Sequence, residues 1–213
     1  MILCWAAKGG SGTTVVACGL ALGASRTQPT TLVDLSGDCA TALGMDEPTG
    51  PGVVDWLASP TAGAADLMRL SVAVRDAVCL IPRGNGTAPD DQWARLAAAL
   101  QPAALAGVGN VVIDAGTGHP PQALHDAAEQ SLLVTRPCFI AIRRAQQFEI
   151  RPTGIVLVDE PGRSLTSRDV EHALGVPVAA EVRLDPAVAR AVDAGLLIAR
   201  LPKSLIISLR RAA

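Results

Sequence analysis

The sequence predicts a single α/β domain with a mostly parallel, twisted sheet covered by helices on both faces. Short β-type runs alternate with Ala-rich helical segments along the whole chain, the strands are apolar rather than alternating, and 213 residues suffice for one sizeable core. Apolar strands need cover on both sides, which a strand-helix alternation supplies.

Taken in order, Ile2–Ala6 reads as a strand running into a glycine-rich turn, followed by an Ala/Leu/Val helix over Thr14–Ala24. Thr31–Leu35, Val78–Pro82, Asn110–Asp114, Ser131–Thr135, Gly154–Val158 and Pro177–Glu181 are the later strands, each rich in Val, Ile, Leu or Thr. Between them Asp91–Leu100, Gln122–Ala128, Ile140–Phe148, Ser167–Leu174 and Pro186–Ala194 read as helices. Pro and Gly cluster at Glu47–Gly52 and Pro82–Pro89, which marks surface loops rather than domain linkers. The domain is expected over 1–200, with a separate C-terminal amphipathic basic helix over 201–213.

Composition excludes several classes. Hydrophobic residues at 49% and charged ones at 18% are incompatible with a disordered chain. No uninterrupted apolar stretch approaches a membrane span, and the first residues lack the charge order of a signal peptide, so a cytoplasmic protein is expected, with peripheral membrane contact as the variant. A net charge of −2 leaves any nucleic-acid or lipid binding to a local patch. Cys4, Cys18, Cys39, Cys79 and Cys138 are odd in number and form no C-x-x-C pair, as reduced, mostly buried thiols would.

Ligands of open parallel sheets gather beyond the carboxyl ends of the strands, where Lys8–Thr14, Asp34–Asp38 and Asp114–Gly118 stand. A strand entering Lys8-Gly9-Gly10-Ser11-Gly12-Thr13-Thr14 and then a helix is the setting in which backbone N–H groups cradle phosphate, with the helix dipole adding attraction. Against G-x-x-x-x-G-K-[ST] the match covers Gly12 and Thr14 and fails at Ala7 and Thr13. A tight turn without a ligand is the competing reading.

The loop resembles the deviant Walker A motif of ParA/MinD-type ATPases, K-G-G-x-G-K-[ST]. Lys8 matches the signature lysine, Thr14 the magnesium-ligating hydroxyl, and Thr13 stands where the second lysine belongs. Thr31-Leu-Val-Asp-Leu35 is similar to the family's second strand and Asn110-Val-Val-Ile-Asp114 to its Walker B strand. Gly37-Asp38 followed by Ala40-Thr-Ala-Leu-Gly44 is most similar to the CpaE/TadZ branch of pilus assembly. The resemblance implies a P-loop NTPase fold. It also implies ATP or ADP with Mg2+, bound by Lys8, Gly9, Gly10, Ser11, Gly12, Thr13, Thr14 and Val15, with Thr14, Asp34 and Asp114 around the metal. It further implies a nucleotide-sandwich homodimer in which Lys8 reaches the partner's phosphates, and a protein partner in a pilus, partition or positioning system.

Three departures bear on chemistry. Thr13 removes a charge-assisted phosphate contact worth roughly 1.5–3 kcal/mol. Ser36 occupies the position of the family's water-activating aspartate, which leaves Asp38 as the substitute carboxylate beside Lys8 in the catalytic set. Val158 stands where many relatives carry a base-reading asparagine. ATP hydrolysis is therefore expected to be weak or absent, and a nucleotide-independent interaction scaffold is the alternative. Asp34 has a second reading as an N-cap and Asp114 as a strand-end turn residue.

In the tail, Leu201, Leu205 and Leu209 share a helix face with Ile206 beside them, while Lys203, Arg210 and Arg211 lie mostly opposite. A helix packed on the domain and a membrane-surface helix both fit that pattern. Arg143 and Arg144, with Arg151, suit either a solvated face or a DNA contact. His119, His125 and His172 lack metal spacing.

Overall fold

The computed structural model describes residues 1–75, 77–101 and 109–212; Ala213, the last residue of the basic tail, lies outside them. The strands are β1 (Ile2–Ala6), β2 (Thr30–Asp34), β3 (Val72–Arg75), β4 (Val78–Ile81), β5 (Asn110–Thr117), β6 (Gln130–Thr135), β7 (Gly154–Asp159) and β8 (Val178–Arg183). The helices are α1 (Thr13–Ala24), α2 (Cys39–Leu43), α3 (Val53–Ala58), α4 (Ala64–Arg69), α5 (Trp93–Ala99), α6 (Gln122–Ala127), α7 (Phe139–Ala145), α8 (Ser167–Leu174), α9 (Pro186–Asp193) and α10 (Lys203–Leu209).

The strands form one eight-stranded sheet in the order β3-β4-β2-β5-β1-β6-β7-β8. Every pairing is parallel except β3 with β4, so the expected fold class holds, with one antiparallel edge strand added. Because β1 lies between β5 and β6, its carboxyl end is a point where the chain departs to either side, and the glycine loop sits there.

Strand alternation divides the core. Cys4, Leu32, Val112, Leu132, Val134 and Val156 face one layer, in which α1, α2, α9 and α10 pack. Leu3, Trp5, Val33, Ile81, Ile113 and Leu133 face the other, against α3, α5 and α6. A smaller cluster of Ile142, Ile155, Leu157, Val170 and Val176 fixes α7 and α8 on the β7 side. Removing about 25 cal/mol of unfavourable hydration per Å2 of apolar surface is the main stabilising term in such layers.

Several elements lay below the resolution of periodicity. Helices α2, α3 and α4 have five or six residues each, too few for a 3.6-residue repeat to show, and β3 has four. The two Pro/Gly loops dock on each other: Val53 N donates to Pro82 O and Val54 N to Arg83 O, both at 2.9 Å. A Cβ on Gly52 would stand 2.2 Å from Pro82 O, so this contact admits only glycine.

Helix α10 buries Leu205, Ile206 and Leu209 against α1 and leaves Ile207 62% exposed. Gly19 makes the approach feasible, since a Cβ there would come within 2.8 Å of Leu209 Cδ1, and Gly23 receives Ile206 one turn later. The apolar face that could meet a lipid surface is thereby occupied. At the other end of that layer Gly44, in the left-handed region at φ 80, closes α2 so tightly on the chain after α9 that a Cβ would lie 1.9 Å from Gly195 O.

Candidate functional site

Gly10 at φ 76 and Gly12 at φ 94 turn the chain between β1 and α1, and Ser11 Oγ ties the turn by donating to Lys8 O at 2.7 Å. The first intrahelical bond runs from Val16 N to Gly12 O, so the preceding amides at the start of α1 have no helical acceptor. These amides border a cleft of about 520 Å3 lined by Gly10–Val15, Leu35, Ser36, Asp38 and Ala115–Thr117. Among the described residues, no lysine or arginine lines it. Thr13 is buried in its wall.

Lys8 lies outside this cleft. Its Nζ donates to Gly9 O at 3.3 Å, and its charge is felt by the Cys138 thiol at the start of α7. That thiol is held below the usual cysteine range, first by the Ala141 amide, then by the Ile140 amide, with Arg163 and Lys8 adding positive potential. Next to it, Glu160 sits 2.7 Å from Arg163 and 3.7 Å from Arg136, and the buried Nε of Arg136 has no acceptor.

Asp34 and Asp114 end up opposite each other because β2 and β5 are in register there, and both are buried. Asp34 Oδ1 accepts from the amides of Ser36 (2.9 Å) and Gly37 (2.7 Å), and its Oδ2 from the Cys39 amide (2.9 Å). Asp34 thus organises the loop and the start of α2, as an Asx turn does, while lying opposite Asp114. Asp114 Oδ1 accepts from the Gly116 amide at 3.0 Å. Burial pushes the Asp114 carboxyl above the ordinary carboxylate range; hydrogen bonds from Thr14, Gly116 and Ser36 oppose that, and the Asp34 charge adds to it.

Ser36 is the residue that sequence reasoning undervalued. Its Oγ lies 2.9 Å from Asp34 Oδ1 and 2.9 Å from Asp114 Oδ2. A hydroxyl carries one proton, so it donates to one of the two carboxylates at a time. The D-x-S spacing is a recognisable turn signal, but the second carboxylate comes from 78 positions away, which local sequence does not reveal. Cys39 Sγ also reaches Asp114 Oδ2 at 3.6 Å. Its thiol is pushed up by a hydrogen bond with Cys18 and by burial, and Cys4 beside Asp114 is pushed up chiefly by burial.

Asp38 is exposed on the cleft wall and makes no cap bond to α2, so its carboxylate is free to turn. Strand β7 continues one residue beyond the predicted end, and Val158 is buried under the loop, 3.8 Å from where a Gly12 Cβ would be. Val158 therefore packs and presents no polar atom to a base. Helix α7 holds Arg143 and Arg144 on an exposed surface. His125 Nδ1 lies 2.8 Å from Ser131 Oγ, which accepts from Trp5 Nε1 at 3.0 Å; this is core bonding, remote from the cleft.

No protein-family model and no curated protein matches the chain. Solved structures do. The MinC:MinD cell division complex of Aquifex aeolicus superposes with a TM-score of 0.79 at 15% identity, covering 99% of this chain and 94% of that one. A ParA family ATPase from Chlorobium tepidum gives 0.77 at 20% identity over 98% and 94%. The septum site-determining protein MinD of Pyrococcus horikoshii, complexed with Mg-ADP, gives 0.75 at 18% over 99% and 93%. The chain has the P-loop fold of these ParA and MinD ATPases.

Proposed function

We propose that this protein is a nucleotide-binding positioning or assembly factor of ParA/MinD type that pairs with a second copy through its nucleotide edge and hydrolyses ATP slowly or not at all. One observation carries the reading: the Gly10–Thr14 turn leaves its amides at a cleft beside two buried carboxylates, as a phosphate cradle would, yet among the described residues no cationic side chain lines the cleft and Lys8 lies outside it. The MinD neighbour with Mg-ADP and the MinC:MinD complex support nucleotide use and a protein partner.

The donor set fits a hard divalent cation such as Mg2+. Thr14, Asp34 and Asp114 offer oxygen ligands beside the cleft, and the Asp114 carboxyl, pushed up chiefly by burial and further by the Asp34 charge, is a group that a nearby cation would favour in its charged form. When bound, the ion would neutralise phosphate charge. Of this chain's own groups, the Gly10–Thr14 amides would orient the phosphates, Lys8 would reach across to a partner, and Asp38 would take the water-activating role. A CpaE/TadZ-like place in pilus assembly belongs to the same proposal, on the resemblance at Gly37-Asp38 and Ala40–Gly44.

Calorimetry with ATP and ADP, with and without Mg2+, tests the reading: binding is expected to be weak but measurable, and none at millimolar nucleotide overturns it. Lys8→Ala is expected to abolish any nucleotide-dependent shift to larger species in light scattering, and an unchanged shift removes Lys8 from the interface. The neutral Thr13 and the Ser36 bridge favour one second reading, a scaffold whose partner binding ignores nucleotide; identical partner affinity with empty and loaded cleft would select it.

A further inference from the structure

Helix α7 presents a second surface, separate from the phosphate cleft. At 100° per residue, Phe139, Ile140, Arg143 and Arg144 fall within an arc of about 140°, while Ala141, Ile142 and Ala145 face the opposite way. Exposure follows that division. Phe139 is 70% and Ile140 54% exposed, Arg143 and Arg144 are exposed, and Ala141, Ile142 and Ala145 are buried. Phe139 is one of only two phenylalanines in the chain, and an aromatic side chain left in water is costly unless something covers it. Neither arginine has a carboxylate within 4.0 Å among the described residues. The helix is firmly seated, since Ile142 belongs to the cluster under α8 and Gln146 Nε2 donates to Ala173 O at 2.8 Å.

We propose that this face of α7 docks an acidic protein segment carrying apolar anchors. Charge and shape select that occupant. A second copy meeting the same face through a two-fold axis would bring Arg143 and Arg144 against their own equivalents, which is repulsive. Duplex DNA offers phosphates to the arginines but no apolar partner for a Phe-Ile pair at the leading end of the patch. An amphipathic acidic helix satisfies both halves: its apolar face covers Phe139 and Ile140, and its carboxylates pair with Arg143 and Arg144. The docking needs no nucleotide, so it stands or falls apart from the function proposed above.

The test uses the whole, nucleotide-free protein and a labelled helical peptide built from Leu at i, i+3, i+4, i+7 spacing with Glu elsewhere, beside its Lys-for-Glu counterpart. Fluorescence anisotropy is expected to show binding of the acidic peptide only. The double variants F139S/I140S and R143E/R144E should each weaken it at least about tenfold with unchanged thermal melts. The R143E/R144E variant should now bind the lysine peptide. All four positions are exposed, so the fold is not at risk. Failure of the native protein to bind the acidic peptide, or undiminished binding by both variants, overturns the proposal. So does Phe139-dependent cosedimentation with phosphatidylglycerol vesicles or duplex DNA in place of the peptide, or self-association of the empty protein that F139S/I140S abolishes.

Discussion

Substituting Ser36 by alanine removes the one hydroxyl that lies between two buried carboxylates. Asp34 keeps three backbone amide donors, whereas Asp114 is left with Thr14, the Gly116 amide and the weak donor of the Cys39 thiol. A hydrogen bond to a charged group contributes about 1.5–3 kcal/mol, and for a domain of this size each kcal/mol moves Tm by about 2–4 °C, so the variant should melt about 3–12 °C lower at neutral pH. The deficit should also depend on pH. In the folded protein the Asp114 carboxyl titrates above its unfolded value of about 3.9, so the stability tied to its proton is complete below that pH and is lost as pH rises through the folded value. Ser36 holds the folded value down, and without it the value rises further and more stability is lost on deprotonation. Paired thermal melts of native protein and Ser36→Ala, followed by circular dichroism in steps from acidic to mildly alkaline buffer, should show a gap that widens with pH. A gap of constant size, or one that closes with rising pH, would refute the idea that the serine acts by sustaining the Asp114 charge.

Thr13→Lys returns a cation to the cleft wall and should tighten ATP binding by at least about tenfold in calorimetry, since about 1.4 kcal/mol corresponds to one decade; no change would mean that some other group already neutralises the phosphates. Cys138 should be alkylated by iodoacetamide at neutral pH well before Cys4 and Cys39, whose thiols are pushed up, and mass spectrometry reads the order directly. Leu209→Ala should cost about 2–5 kcal/mol in urea unfolding, because its side chain fills the space over Gly19, whereas Ile207→Ser, at an exposed position of the same helix, should cost little. Equal effects at the two positions would show that α10 is not docked as described.

The long elements were legible because their signals are local. Continuous apolar runs marked β1 and β5 through β8, and the helical segments read at Ser167–Leu174 and Pro186–Ala194 match α8 and α9 to within one residue. The glycine loop, Asp34 and Asp114 were legible for the same reason, as residues just beyond strand ends. What escaped was set by distance. The hydroxyl of Ser36 gains its role from a strand far away in sequence, and the outward turn of Lys8 depends on the path of the loop rather than on its letters. Val158 shares a face of β7 with Val156, two residues before it, so strand alternation puts its side chain in the same core layer.

The close crossing of Gly44 over Gly195 has a mechanical side. Helix α2 is pinned at both ends, by Asp34 holding its first amide and by the two glycines meeting backbone to backbone at its last turn. Asp38 stands just before that first amide, so it works on a short leash: it can swivel about its own side-chain bonds, but the helix behind it cannot slide to carry it forward. Asp38 is the only carboxylate on the cleft wall among the described residues, and the helix that carries it is anchored at its far end beside the chain after α9. Any partner that prises Gly195 away from Gly44 would lengthen the leash without touching the nucleotide.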